Sequence, residues 1–449
     1  MNQPILSQPH PFQTRPDRTL VALSVPVMLS FTAEPVTALV DTAFIASLGV
    51  APLAAVGVGA TALSSLLWVF NFLGVSTQTE VAQAFGKQKT GETKKIISLA
   101  FLLAGFFGLA LILLIWPSAA WVAELLGGQG TVQDLASIYM RIRIFGIPGL
   151  LIMSVSFGAM RGIQDMRTPL WIALAINLLN LVLDWVLIFG IGPFPAMGVA
   201  GSALASTISQ SAGAIAGLTV MASRTGLTRQ FLLSDALGLI RVGGDLFLRT
   251  GVLNIFLLYT TRAANQIGAD AGAAHQVIRQ VYIFTALAMD AFASTVQSLV
   301  GYYYGQNALS WARKAAWVGV RWSLATGAGL GLLMWLGHGL VIDWLVPASS
   351  LSAFLPAWAI SAASQPLNSL AFLTDGAHMG TGDYHFLRNA MIAATLLGVG
   401  AVWLSGSSPR AGLSWIWVST ALWVLVRAGF GLLRIWPGIG KSDFQNQQS

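Results

Sequence analysis

From Ile96 to Pro117 the chain reads IISLAFLLAGFFGLALILLIWP, without one charge. At about 1.5 Å of helical rise per residue, such a run crosses the ~30 Å hydrocarbon layer of a bilayer. Leu170 to Gly190 and the uncharged stretch Gly198 to Ala222 have the same reach. Only 9% of residues are charged and mean hydropathy is +0.71, whereas an ordinary soluble domain carries about 25% charged residues. No alternation at strand length recurs in the way an outer-membrane barrel needs. The reading is an all-α integral membrane protein.

A formal charge of +7 does not make this chain a nucleic-acid binder, because its 24 Lys and Arg form no dense patch. In such a composition they act as topology signals. There is no cysteine, which excludes disulfides and thiolate metal sites. The opening MNQPILSQPHPFQTRPDR is polar and proline-rich with no apolar centre, unlike a secretory signal, and reads as a short cytoplasmic tail.

Hydropathy divides the chain into about twelve spans, beginning near Leu20, Ala51, Ile96, Leu135, Thr168, Gly198, Ala236, Ala271, Ala315, Leu351, Phe386 and Gly412. Loops after even-numbered spans carry Lys87, Lys89, Lys94, Lys95, Arg161, Arg167, Arg224, Arg229, Arg313, Lys314 and Arg388; those after odd-numbered spans offer Arg262 and Arg410. By the positive-inside rule both termini face the cytoplasm. The host membrane is expected to be the cell's inner (plasma) membrane.

Sliding the sequence on itself by 219 positions pairs Gly49 with Gly268, Gln78 with Gln297, Gly86 with Gly305, and Lys94 and Lys95 with Arg313 and Lys314. An offset of 218 then pairs GAMRGIQD (158–165) with GAHMGTGD (376–383). The period is too long for a solenoid and describes two pseudo-symmetric six-helix lobes in one orientation. The expected divisions are a tail at 1–18, an N-terminal lobe at 19–222, a linker at 223–235, a C-terminal lobe at 236–436 and a second tail at 437–449. Paired lobes of this kind are the architecture of alternating-access carriers, by fold-level analogy.

Charges inside the spans are the functional signal, since a carboxylate at bilayer depth costs a few kcal/mol. EPVTALVDTAF (34–44) puts Glu34 and Asp41 on one helical face at i and i+7. Pro26 and Pro35 each remove a main-chain hydrogen bond there and are candidate bending points. On span 5, Asn177, Asn180 and Asp184 form a second stripe. Asp41 late in span 1, Asp184 past the middle of span 5, Ser202 early in span 6 and Tyr139 early in span 4 all fall in the outer half of the membrane. Two acids, an amide, a hydroxyl and a phenol at one level offer oxygens to a hard monovalent cation, or carboxylates that hold protons. An acid near the headgroups can alternatively reach water by snorkelling. Glu34 lies about 10 Å deeper by helix rise and, with Asn177, is a candidate for the substrate cavity.

Under the repeat, Asp41 pairs with Thr260 and Asp184 with Val402. The second lobe lacks both acids, so scaffold symmetry does not account for them. Arg141, Arg143, Arg249 and Arg262 are candidates for ion pairing, anionic-lipid contact or a gate, and His275 for packing or proton relay. Asp165 and Asp383 suit turn capping. No phosphate loop, paired-histidine metal site or nucleophile motif is present, so nothing predicts an enzyme, and there is no catalytic residue to assign.

The segments VDTAFIASLGVAPLAAVGVG, GAMRGIQDMRTP with GAHMGTGD, NLLNLVLDWVLIFG, GVAGSALASTISQ and AANQIGADAGAAHQV together resemble multidrug and toxic compound extrusion (MATE) transporters, their DinF-like branch above all. The resemblance runs from about Leu20 to Arg434. It implies secondary active export of organic cations and other amphipathic compounds in exchange for H⁺ or Na⁺, by a monomer in the lipid bilayer. No cofactor beyond the coupling ion is implied, and no nucleic-acid partner. It further implies a cation site of Asp41, Tyr139, Asn180 and Asp184, with Ser202 where some relatives carry threonine. Asp41, Asn180 and Asp184 would be the Na⁺ ligands of a sodium-coupled member. Another branch uses acids in the C-terminal lobe; this chain offers Asn254, Asp245, Asn368 and Asp375 there. The alternative is a flippase for lipid-linked precursors in the same broad superfamily, which would need Arg141, Arg143, Arg249 and Arg262 around its substrate.

Overall fold

Lipid offers no partner for a backbone N–H or C=O, so a chain this apolar satisfies its main chain within helices. The computed structural model describes residues 9–230, 233–405 and 412–445; Arg410 lies outside them. The helices are α1 (Pro11–Thr14), α2 (Pro16–Ala46), α3 (Val50–Phe70), α4 (Phe72–Gly86), α5 (Thr90–Leu125), α6 (Thr131–Arg143), α7 (Ile147–Gly162), α8 (Arg167–Phe189), α9 (Val199–Arg224), α10 (Leu233–Ile267), α11 (Ala269–Gly305), α12 (Leu309–Leu336), α13 (His338–Leu345), α14 (Leu351–Ala363), α15 (Gln365–Thr381), α16 (Tyr384–Ser405) and α17 (Gly412–Ile435).

Among the described residues ten helices are long and apolar enough to cross a membrane, and α12 with α13, bent by 57°, makes an eleventh. The remaining passage is broken at Ser364 between α14 and α15. That gives the expected twelve. Most spans begin a few residues before the hydropathy signal, since each helix continues through a polar interfacial turn that an apolar count leaves out. Spans 4 and 10 share one irregularity: α7 and α15 each open with a proline in their first turn, Pro148 and Pro366. Proline is tolerated there because the N–H it lacks would have no helical partner.

The residues divide into two compact units, Leu29–Gly251 and, separately, Met1–Met28 with Val252–Ser449. One cut falls in α2 two residues past Pro26, the other in α10. Under the 219 offset Met28 corresponds to Phe247, so the cuts fall at nearly equivalent places. In the first unit Leu73, Val81, Ile97, Leu111, Met140, Val155 and Met160 belong to one buried cluster. In the second, Phe12 and Leu20 are buried with Val296, Tyr303, Ala316, Ile435 and Phe444. Phe12 therefore packs inside its unit, and Asp17 accepts a 2.9 Å hydrogen bond from Trp322 Nε1.

The repeat is visible in packing. A Cβ on Gly158 would collide with the carbonyl oxygen of Gly74, and one on Gly376 with that of Ala293. One turn on, Gly162 faces the carbonyl of Gln78 and Gly380 that of Gln297, a Cβ in those places lying 2.8 and 2.7 Å away. These pairs obey the same offsets of 219 and 218. Small residues let helix backbones approach within van der Waals contact, the main source of helix association in lipid. The duplicated glycines are thus the crossing points of α4 with α7 and of α11 with α15. Asp165 and Asp383 also match: Asp165 accepts from the backbone N–H groups of Arg167 and Thr168 and pairs with Arg224, while Asp383 pairs with Arg434 at 2.8 Å. The turn capping expected of Asp165 is accompanied by an ion pair.

Candidate functional site

Two helices supply the acids. Asp184 lies three-quarters of the way along α8, whose end is set by Gly190 in the left-handed conformation (φ 74°). The loop that follows folds back: Met197 N–H donates to Leu187 C=O at 2.9 Å, and α9 begins at Val199. Gly201 then passes so close to the Leu187 carbonyl that a Cβ would sit 2.6 Å from its oxygen. This contact brings Ser202, in the first turn of α9, to Asp184. Asp41, near the end of α2, faces Asp184 within hydrogen-bonding reach.

Burial is uneven across the pair. Asp184 is 0% exposed, whereas Asp41 is half-buried. Asp41 Oδ1, both oxygens of Asp184 and Nδ2 of the buried Asn180 are enclosed and have no hydrogen-bond partner. Two carboxylates are both acceptors, so nothing joins them until a proton or a cation does. Buried polar oxygens of this kind are costly to leave unsatisfied, and a proton shared between the two carboxyls or a bound cation is what would satisfy them. The carboxylate oxygens, with no cysteine or histidine grouped beside them among the described residues, suit a proton or a hard cation such as Na⁺.

Tyr139, on α6, is buried and faces the same acids. Its ring lies against α3, where Gly59 leaves the space: a Cβ there would be 2.6 Å from Tyr139 Cδ1. Arg143, one turn further along α6, faces Tyr139 and both acids, and its Nη1 donates to Gln210 Oε1 on α9 at 2.5 Å. Arg143 is one of the four arginines that the sequence offers for ion pairing, anionic-lipid contact or a gate, and it lies beside the acids; Gln210 is a neighbour that the sequence does not single out. A signal was present, since Arg143 is i+4 from Tyr139 and so shares its face. Arg141, two residues away, is exposed and lies over the Trp116 ring at 5.7 Å.

Other candidates lie elsewhere. Glu34 is exposed and Asn177 half-buried, and neither joins the acids. Pro26 and Pro35 sit within the uninterrupted α2. Arg249 is half-buried and Arg262 exposed. His275 is buried against Trp417, with Nε2 3.4 Å from Thr261 Oγ1. In the other unit Asn368 accepts a 2.8 Å hydrogen bond from Tyr282, and Asp375 pairs with Arg427 at 2.6 Å. Asp245 is buried and Asn254 half-buried.

A family model described as MatE matches residues 26–186 and 248–404, one match in each half of the repeat. The chain is 29% identical over 430 residues to Protein DETOXIFICATION 44, chloroplastic, of Arabidopsis thaliana, covering 93% of this chain and 81% of that one. It is 28% identical over 435 residues to DNA damage-inducible protein F of Escherichia coli (strain K12), covering 95% and 93%. Its fold matches a crystal structure of MATE in the bent conformation with a TM-score of 0.85 at 20% identity, over 93% of this chain and 94% of that one. With both halves of the repeat matched, this multi-pass membrane protein belongs to the MatE family of transporters.

Proposed function

We propose that the chain is a secondary active efflux antiporter that exports organic cations or amphipathic compounds in exchange for H⁺ or Na⁺. The observation that carries the reading is the enclosed, unpartnered carboxylate of Asp184 facing Asp41 in one unit of the fold. In the outward-open state the pair takes up the coupling ion, with Asn180, Ser202 and Tyr139 as neighbouring polar groups. Neutralising the pair removes a buried charge, which makes a drier and more closely packed chamber cheaper. Helix α2 carries Asp41 and has lost two main-chain hydrogen bonds, at Pro26 and Pro35, so it is the element that bends in response. Exposed Glu34, on the same helix, meets the charge of a cationic compound. The lobes then alternate and release the ion inward, in an inner membrane with both termini cytoplasmic.

A relative from Synechococcus sp., probable multidrug resistance protein NorM, 27% identical over 426 residues, supports the substrate class. The test is counterflow of a fluorescent organic cation in proteoliposomes, driven by a pH gradient and separately by a Na⁺ gradient. Asp41→Asn should abolish driven efflux while the protein still reaches the membrane. Efflux retained by this variant under both gradients would sink the assignment.

A further inference from the structure

The oxygens gathered at the acid pair raise a selectivity problem. Two carboxylates, an amide, a hydroxyl and a phenol are the donor types that hold divalent Mg²⁺ or Ca²⁺. With both acids ionised they carry −2, the matching countercharge for such an ion. An exporter driven by a monovalent cation needs that outcome suppressed.

Arg143 is the third charge at this place. Its guanidinium stays protonated at any physiological pH. It sits on the Tyr139 face of α6, and Gln210 holds it from α9 through a 2.5 Å hydrogen bond. Its Nη1 also lies 3.0 Å from where a Cβ of Gly146 would be, so the side chain is confined between α6 and α9. Among the described residues it forms no direct ion pair, and its charge acts on Asp41 and Asp184 through space. With both carboxyls ionised, the sum over the three groups is −2 + 1 = −1. One proton or one Na⁺ brings this to zero, whereas a divalent ion leaves a buried +1 that nothing offsets.

We infer that Arg143, oriented by Gln210, is a specificity-determining residue that sets the acid pair to one monovalent cation and keeps divalent cations out. The inference rests on the proposed role of the pair as the coupling site. A purely structural role, tying α6 to α9, predicts a different result: loss of Arg143 would lower stability and create no ion site.

The experiment is equilibrium binding of Mn²⁺ to purified protein, read by electron paramagnetic resonance, with thermal shift in CaCl₂ as a second readout. Wild type and Arg143→Lys should show no saturable Mn²⁺ site. Arg143→Gln should gain one, at least ~10-fold tighter than any wild-type binding, since a unit charge acting on the site through space is worth more than that at an effective dielectric of about 20 for any separation under about 10 Å. The gained site should vanish in the Arg143→Gln, Asp184→Asn double variant. Where Arg143→Gln does not fold, Gln210→Ala frees the guanidinium without removing it and should raise Mn²⁺ affinity in the same direction. Saturable Mn²⁺ binding by wild type, no gain in either variant, or a gained site that survives Asp184→Asn would each overturn the inference. The transport test separates the two ideas: no gain with Asp41→Asn inactive refutes the role of Arg143 and leaves antiport standing, while a gain with Asp41→Asn fully active refutes antiport through the pair and leaves the electrostatics standing.

Discussion

The two halves of this chain use one scaffold and treat its interior charges in opposite ways. In the N-terminal half both Asp184 oxygens are buried without a partner. In the C-terminal half the buried Asp375 is neutralised by Arg427 at 2.6 Å, and that guanidinium also lies 4.4 Å from the Trp423 ring centroid. The positions equivalent to the acid pair are closed: Thr260 donates to the carbonyl of Leu257 within its own helix, and Val402 is buried and apolar. Even the volumes are exchanged. Where the first half sets Tyr139 over Gly59, the offsets lead to Ala357 and Ile278, both in one apolar cluster. Duplication supplied the helices, and divergence left an acid pair in one copy and closed the equivalent positions in the other.

Acids in the two halves should therefore fail differently. Asp184→Asn should reduce efflux to background while leaving the melting temperature unchanged or raised, because it removes a buried charge that lacks a partner. Asp375→Asn should do the reverse: it strands Arg427 and should cost about 3–5 kcal/mol of stability, with transport per folded molecule largely kept. Equal destabilisation by both, in melting of the purified variants, would break the comparison. Gly59→Ala should push the Tyr139 ring aside, costing about 1–3 kcal/mol and lowering efflux in the same assay.

The smallest effect concerns the paired turns that follow α7 and α15. Arg224–Asp165 is partly exposed (46% and 18%) and Arg434–Asp383 is mostly buried (10% and 9%). Arg224→Gln should cost about 0.2–1 kcal/mol, and Arg434→Gln distinctly more. Burial alone would raise the Asp165 carboxyl, but hydrogen bonds from Thr168 and the Arg224 guanidinium outweigh it and hold the group below the ordinary carboxylate value. The sign follows: a depressed folded-state pKa gives stability that is complete above about pH 4 and is lost as pH falls further. The stability difference between wild type and Asp165→Asn should therefore be flat from pH 8 to 5 and shrink below pH 4, measured by melting across that range.

Much of the molecule was legible beforehand because its signals are local. Spans follow from runs of apolar residues, and the two offsets paired the glycine motifs whose role as helix crossings only the packing shows. Depth along the helices was enough to bring Asp41, Asp184, Ser202 and Tyr139 to one level. It says nothing of exposure: Glu34, on the face of Asp41 by spacing and about 10 Å deeper by helix rise, is exposed. Nor could it separate Arg141 from Arg143, since two residues on a helix differ by about 200° of rotation, and only packing fixes which one turns inward.

The amino-acid sequence by itself determined the membrane-spanning class, the twelve spans and the duplication. Those follow from transfer of apolar side chains into lipid and from the need to satisfy every backbone group within a helix, both of which act residue by residue. Tertiary structure alone decided which charges meet: Arg143 held by Gln210 beside the acids, Arg427 closing on Asp375 from 52 residues away. Convergence of side chains depends on how helices rotate and pack against one another, and that is a sum over many distant contacts which no single stretch of sequence contains.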